Sequence, residues 1–245
     1  MESFDGTSIH FDFYPVESGR LVLVIPGFWR DRRHPSMLRL AEFLNQRGYS
    51  VGIVDVRGHG DSGGVFGFNL HEHEDIAAVA RALLAASGCS KMTLLGFSVG
   101  GAIAVATAAR HPELPIGSLL LISSVANFSM IHPRLNPLHL HRHIALTQAL
   151  RRPRFDWRFV RSEKLMGTEE VKRVHAPISL IHVKKDWLIG HPHSIALFEN
   201  ANEPKELHII DIPGNYHADR IFSVAAEKIE PLIEEFLERT LKEER

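Results

Sequence analysis

Short apolar runs alternate along this chain with longer segments of helical periodicity, and that alternation restricts the fold more than any other feature. Leu21-Val22-Leu23-Val24-Ile25 is apolar without interruption and stops at Pro26-Gly27. A strand that is apolar at every position must be buried on both faces, the condition of a parallel sheet covered by helices. A helical pattern follows. It opens near Pro35, runs through Met37, Leu38, Leu40, Ala41 and Leu44, and closes at Gly48, with proline and glycine at the ends they favour. Further strands are expected at Ser50–Val56, Lys91–Leu95, Ile116–Ile122, Ile178–Val183 and Leu207–Ile212. Helices are expected from Asp75 to Ser87, through Ala102–Ala109, at Ser194–Glu199 and from Ile221 onward. The pattern reads as an α/β fold with a mainly parallel central sheet flanked by helices.

One stretch interrupts the alternation. From Val125 to Ala176 the pattern is helical, punctuated by proline and rich in His and Arg. At roughly fifty residues it is too long for an ordinary connection. The expected organisation is therefore a core of residues 1–124 and 177–245 carrying a small helical cap insertion at 125–176. With 245 residues, 44% of them hydrophobic, the chain can bury one such core. A formal net charge of −1 gives no global field that would draw nucleic acid. Apolar runs stay well short of the roughly 20 residues that span a bilayer. An acidic N-terminus without an apolar leader and a lone cysteine, Cys89, lead us to expect a cytoplasmic protein.

Chemistry concentrates at Gly96-Phe97-Ser98-Val99-Gly100, which matches G-x-S-x-G between an expected strand and an alanine-rich helix. In that context the serine sits on a sharp strand-to-helix turn, and glycines two positions to either side avoid collisions with neighbouring backbone. The helix start directs free N–H groups toward developing negative charge. Together with Pro26-Gly27-Phe28 and Asp55-Val56-Arg57-Gly58-His59-Gly60-Asp61-Ser62 upstream, this segment resembles the α/β-hydrolase family, especially its esterase, serine-aminopeptidase-like and lysophospholipase-like members. The resemblance covers nearly the whole chain outside the insertion.

The resemblance implies an α/β-hydrolase fold and a Ser-His-Asp triad. Ser98 would be the nucleophile. Val99, directly after it, would supply one oxyanion N–H, and the resemblance places the second on Phe28. Many relatives begin that loop with His-Gly, where this chain has Pro26-Gly27. Among 16 histidines position must select the base, and His217 lies after the last expected strand, ahead of His191 and His193 as weaker choices. Asp186, following the strand Ile178–Val183, is expected to be the acid, rather than Asp211 or Asp219. His59 is read as part of the loop's architecture.

The expected activity is hydrolysis of a small acyl ester without metal or organic cofactor. An acyl thioesterase and a non-catalytic binding protein of the same fold are the alternatives. Basic residues of the insertion (Arg134, Arg142, Arg151, Arg152, Arg154, Arg158, Arg161 and Lys164) are the place where an anionic substrate or carrier would dock. His71-Glu72-His73-Glu74-Asp75 has the H-x-H-x-D form of a zinc motif. Asp75 is instead expected to open a helix, and Ile76 stands where that motif continues with histidine. The His139, His141 and His143 run is expected to capture adventitious metal at most.

Overall fold

The structure is a computed structural model that describes residues 1–17, 19–68, 70–131, 153–156 and 167–241. Its strands are β1 (Phe11–Tyr14), β2 (Leu21–Ile25), β3 (Ser50–Val54), β4 (Met92–Phe97), β5 (Ile116–Ile122), β6 (Ile178–Val183) and β7 (Lys205–Ile210). Its helices are α1 (Pro35–Asn45), α2 (Glu72–Ser87), α3 (Val99–Arg110), the short α4 (Gly167–Glu170), α5 (Pro192–Asn200), α6 (Asp219–Val224) and α7 (Ala226–Thr240). The strands form one sheet in the order β1-β3-β2-β4-β5-β6-β7, with β1 antiparallel and the rest parallel.

Every residue of β2, β3, β4 and β6 is buried, as their unbroken apolar runs require. One apolar layer joins α2, α3 and α5 to the sheet through Ile76, Val79, Leu83, Ile103, Ala104 and Leu197. The opposite face is covered by α1, α6 and α7 through Met37, Leu40, Phe222, Ile229, Ile233 and Leu237. The chain runs from β2 outward to β3 and then returns to place β4 on the other side of β2. That reversal leaves a crevice beyond the carboxyl ends of β2 and β4, where open α/β sheets bind ligands.

Three expectations are corrected. β1 was not expected at all: its four residues are half-buried on a sheet edge and too few to show a period. The helix expected to open at Asp75 starts at Glu72, because the Glu72 carboxylate accepts the backbone N–H groups of Gly67 and His71 and anchors the turn earlier. The terminal helix is two helices, broken where Ala225 leaves helical geometry at φ −139°.

Within the expected insertion, residues 153–156 are extended rather than helical. The Arg154 N–H donates to the Gly58 carbonyl, while the N–H groups of Phe66 and Asp156 reach Arg154 and Phe66 carbonyls. Arg154 also donates from its guanidinium to the Ser62 carbonyl, so it is tied to the glycine-rich loop. Val171 and Val174 pack into the α2–α3 layer. Residues 132–152 and 157–166 lie outside the described residues, and with them most of the expected cap, the His139–His143 run and the basic residues named above other than Arg154.

Candidate active site

The turn between β4 and α3 forces Ser98 into a backbone that few residues adopt, φ 54° and ψ −120°. Its neighbours have to be glycine. A Cβ on Gly96 would strike the backbone of Gly100 and Gly101, and one on Gly100 would strike the carbonyls of Ile25 and Pro26. The Ser98 N–H donates to the Ile122 carbonyl at 2.9 Å, which fixes the turn to β5. Strain of this kind persists only where surrounding structure holds it. Trp29, Phe68 and Ala218 share positive φ with Ser98, and all four line one cavity.

The loop after β2 passes directly over the serine. A Cβ on Gly27 would sit 3.2 Å from both the Phe97 carbonyl oxygen and the Ser98 Cβ. Phe28 and Val99, the first residue of α3, both line the cavity beside Ser98. Phe28 is half-buried among Trp29, His59, Phe66 and Phe68, so it serves as a core aromatic too.

His217 reaches Ser98 from the loop after β7. Its Nε2 is 2.9 Å from Ser98 Oγ, and its Nδ1 is 2.8 Å from Asp186 Oδ2. Asp186 comes from the loop after β6, and its other oxygen accepts the N–H groups of Leu188 and Ile189, each at 2.9 Å. Thus the three residues expected from sequence meet, although they are spread over three separate loops. Burial by itself would raise the Asp186 carboxyl. Contact with His217, His182 and those backbone donors outweighs it and holds the group below the usual carboxylate range.

The other candidates have different partners. Asp211 is exposed beside Lys184. Asp219 opens α6 and is engaged by Arg30 and Ser36. His191 faces the Lys184 carbonyl, and His193 accepts the Ala126 N–H. His59 is buried edge-on to Phe28 and Phe66 and does not line the cavity.

Residues 18–166, more than half of the chain, match the Hydrolase_4 family, described as serine aminopeptidase, S33. The chain belongs to this family of α/β hydrolases. The uncharacterized protein YfhR of Escherichia coli O157:H7 is 25% identical over 222 residues, 88% of this chain and 71% of YfhR. The esterase Pf2001 of Pyrococcus furiosus superposes with a TM-score of 0.76 at 20% identity, over 98% of this chain and 91% of its own. Est1E of Butyrivibrio proteoclasticus, solved with ferulic acid bound, gives 0.75 at 20% identity over 97% of each chain. At such identities the solved structures establish a shared fold. Among the described residues no helix is long and apolar enough to cross a membrane.

In this hydrolase the cavity beside Ser98 and His217 measures about 210 Å³ and is walled by Phe28, Trp29, Phe68, Val125, Phe128 and Leu188, among others. Two side chains at or behind its wall escaped the sequence reading. His182, wholly buried on β6, accepts from Ser194 Oγ at 2.6 Å through Nδ1 and donates from Nε2 to the Ile189 carbonyl at 2.8 Å. It thereby braces the loop that carries Asp186. The second is Arg30, whose guanidinium holds Asp219 at 3.0 Å with both side chains buried. Nothing in linear spacing marks either, since each depends on a partner placed by the fold.

Burial depresses His182 and His59 to about 4, so both are neutral in the fold at pH 7. Unfolded, they bind protons near 6.5, so between that pH and 4 the unfolded chain holds more protons and stability falls as pH falls. Asp186 and Asp219, both lowered, add a further loss below about pH 4. We expect the thermal midpoint to decline continuously from pH 7 to 4, with onset well above the carboxylate range. Differential scanning calorimetry across that range checks it, and a flat midpoint down to pH 4.5 contradicts neutral burial of these histidines.

Proposed function

We propose that this chain is a serine hydrolase cleaving an acyl ester through an acyl-enzyme on Ser98. The observation that carries the reading is the continuous line of contacts from Asp186 through His217 to Ser98. His217 takes the Ser98 hydroxyl proton as Oγ attacks the acyl carbonyl, and Asp186 keeps the imidazole in the tautomer with its free nitrogen facing the serine. The N–H groups of Val99 and Phe28 receive the oxyanion at the start of α3, whose dipole favours negative charge. His217 then hands the proton to the leaving alcohol, and water attacks the acyl-enzyme with the same groups in reverse roles.

The apolar, aromatic-walled cavity favours an acyl or aryl-acyl group over a free amino terminus. An aminopeptidase must neutralise its substrate's ammonium group. The one carboxylate among the described lining residues, Asp219, is already paired with Arg30. The esterase Pf2001 and the ferulic acid bound to Est1E are in keeping with this choice.

Labelling with a fluorophosphonate, read by intact mass and peptide mapping, tests it. A single adduct on Ser98, absent from Ser98→Ala, is expected, with turnover of p-nitrophenyl acyl esters and none of aminoacyl amides. A folded wild-type protein that takes no adduct overturns the reading and points to a binding protein on this fold. A labelled protein that prefers aminoacyl amides overturns the ester assignment alone.

A further inference from the structure

Away from the residues that line the catalytic cavity, two histidines and a glutamate bring ligating atoms together. His73 and Glu74 lie in the first turn of α2, and His111 directly follows α3. Nδ1 of His73 stands 3.1 Å from Nε2 of His111. The Glu74 carboxylate faces the same gap, 3.9 Å from His73 Nδ1 and 3.6 Å from His111 Nε2. One donor atom from each of the three residues falls within 4.8 Å of the others. We propose that His73, His111 and Glu74 form a site for a borderline divalent transition-metal ion such as zinc, which staples α2 to the end of α3.

The distances suit a shared ion. With metal–nitrogen bonds of about 2.1 Å, two nitrogens 3.1 Å apart subtend an angle of about 95°, and small ring rotations open it toward the tetrahedral value. A hydrogen bond between two neutral imidazoles accounts for the same separation, so the argument rests on what surrounds the pair. Glu113 Oε1 lies 3.5 Å from Nδ1 of His111. A carboxylate behind a ligating imidazole draws the ring proton to the far nitrogen and frees the near one for metal. When His111 takes that tautomer, its Nε2 and the His73 Nδ1 both present lone pairs into the gap, and no proton need leave the pair.

Two cations of this region have partners of their own: Arg110 is held by Glu170 at 2.6 Å, and Arg81 by Glu113 at 2.5 Å. Both histidines are buried, whereas the Glu74 side chain is 39% exposed, so the gap opens to solvent on the carboxylate side. Two imidazoles with one carboxylate suit zinc, cobalt or nickel, whereas magnesium and calcium prefer an all-oxygen set.

This is not the constellation expected from the linear H-x-H-x-D pattern. Asp75 is taken by Arg57, with a bidentate pair at 2.5 and 2.6 Å, and by Ser3. His71 lies against Phe4. The third ligand comes instead from 38 residues downstream.

The test uses the full chain stripped with chelator and then titrated with zinc by calorimetry, with cobalt absorption as a second readout. Zinc is expected to raise the wild-type thermal midpoint by roughly 5–10 °C at a hundredfold excess over its dissociation constant. The His73→Gln/His111→Gln variant should lose one zinc equivalent, the ligand-field cobalt bands and the midpoint rise. Glu113→Gln should weaken binding by about 10–100-fold. Glu74→Gln, at a partly exposed position, serves if the double variant does not fold. A control with His139, His141 and His143 all replaced by alanine should keep the site. Equal stoichiometry in wild type and the double variant overturns the proposal, as does loss of the tight equivalent in the triple-alanine control.

Discussion

Asp186→Asn is expected to lower kcat by about four orders of magnitude while leaving the chain folded. The size of the effect follows from which atoms the side chain serves. Oδ1 of Asp186 accepts from the backbone N–H groups of Leu188 and Ile189, and Oδ2 lies against His217 Nδ1. In asparagine the amide oxygen takes over the two backbone donors, so the loop keeps its hydrogen bonds. The NH₂ group must then face His217 and donate to Nδ1. That drives the ring proton to Nε2, the nitrogen 2.9 Å from Ser98 Oγ, and leaves the serine without a base. The near-wild-type stability and the catalytic collapse therefore have one cause. Fluorophosphonate labelling should slow in parallel, because it needs the same deprotonation. A loss smaller than tenfold would move the supporting role away from Asp186 and undo the proposed mechanism.

The same residues show how far a linear reading reaches. β2 runs over the expected Leu21–Ile25, because five consecutive apolar residues have no alternative to burial on both faces. Ser98 was recognisable because its turn needs glycine on both sides for steric reasons that leave a local signature. His217 and Asp186 were found through their places after β7 and β6, which is to say through strand order. Local rules fail where an outcome depends on a distant partner. β1 is defined by pairing with β3, and its Phe11 and Phe13 face one apolar layer while Tyr14 faces the other. The break at Ala225 sits on a good helix former, so nothing in composition announces it. Residues 153–156 are extended because Gly58 and Phe66 offer backbone partners about ninety positions away, a fact that helical periodicity in the segment cannot convey.

Ligand sets obey the same distinction. H-x-H-x-D drew the eye to His71 and Asp75 because they are close in sequence. The fold consigns Asp75 to a buried ion pair with Arg57 and recruits His111 instead. A buried charge needs a partner, and for Asp75 and Asp219 that partner comes from 18 and 189 positions away.

Asp219→Ala is expected to destabilise the protein by about 3–5 kcal/mol, because it leaves the Arg30 guanidinium buried without its main counter-charge. Arg30 follows Trp29 in the loop over the nucleophile, and Asp219 follows His217 by two residues. Their contact at 3.0 Å, with side-chain exposures of 3% and 5%, joins the loop proposed to hold the oxyanion to the loop carrying the base. Ser36 adds a bond to Asp219 at 2.9 Å and draws in the start of α1. Removing the carboxylate thus leaves the desolvation of Arg30 without the ion pair that offset most of it, and it also unfastens the two loops. Arg30→Met/Asp219→Leu removes both charges at similar volume and should recover most of the stability, since a buried pair replaced by apolar packing is often neutral. Catalysis should not recover with it, because strained Trp29 and Ala218 lose the clamp that holds them on either side of the site. Urea unfolding gives the stability term, and ester hydrolysis gives kcat and KM for each variant. If the double variant regains full kcat along with its stability, the pair is a packing element alone and the loops are positioned by something else.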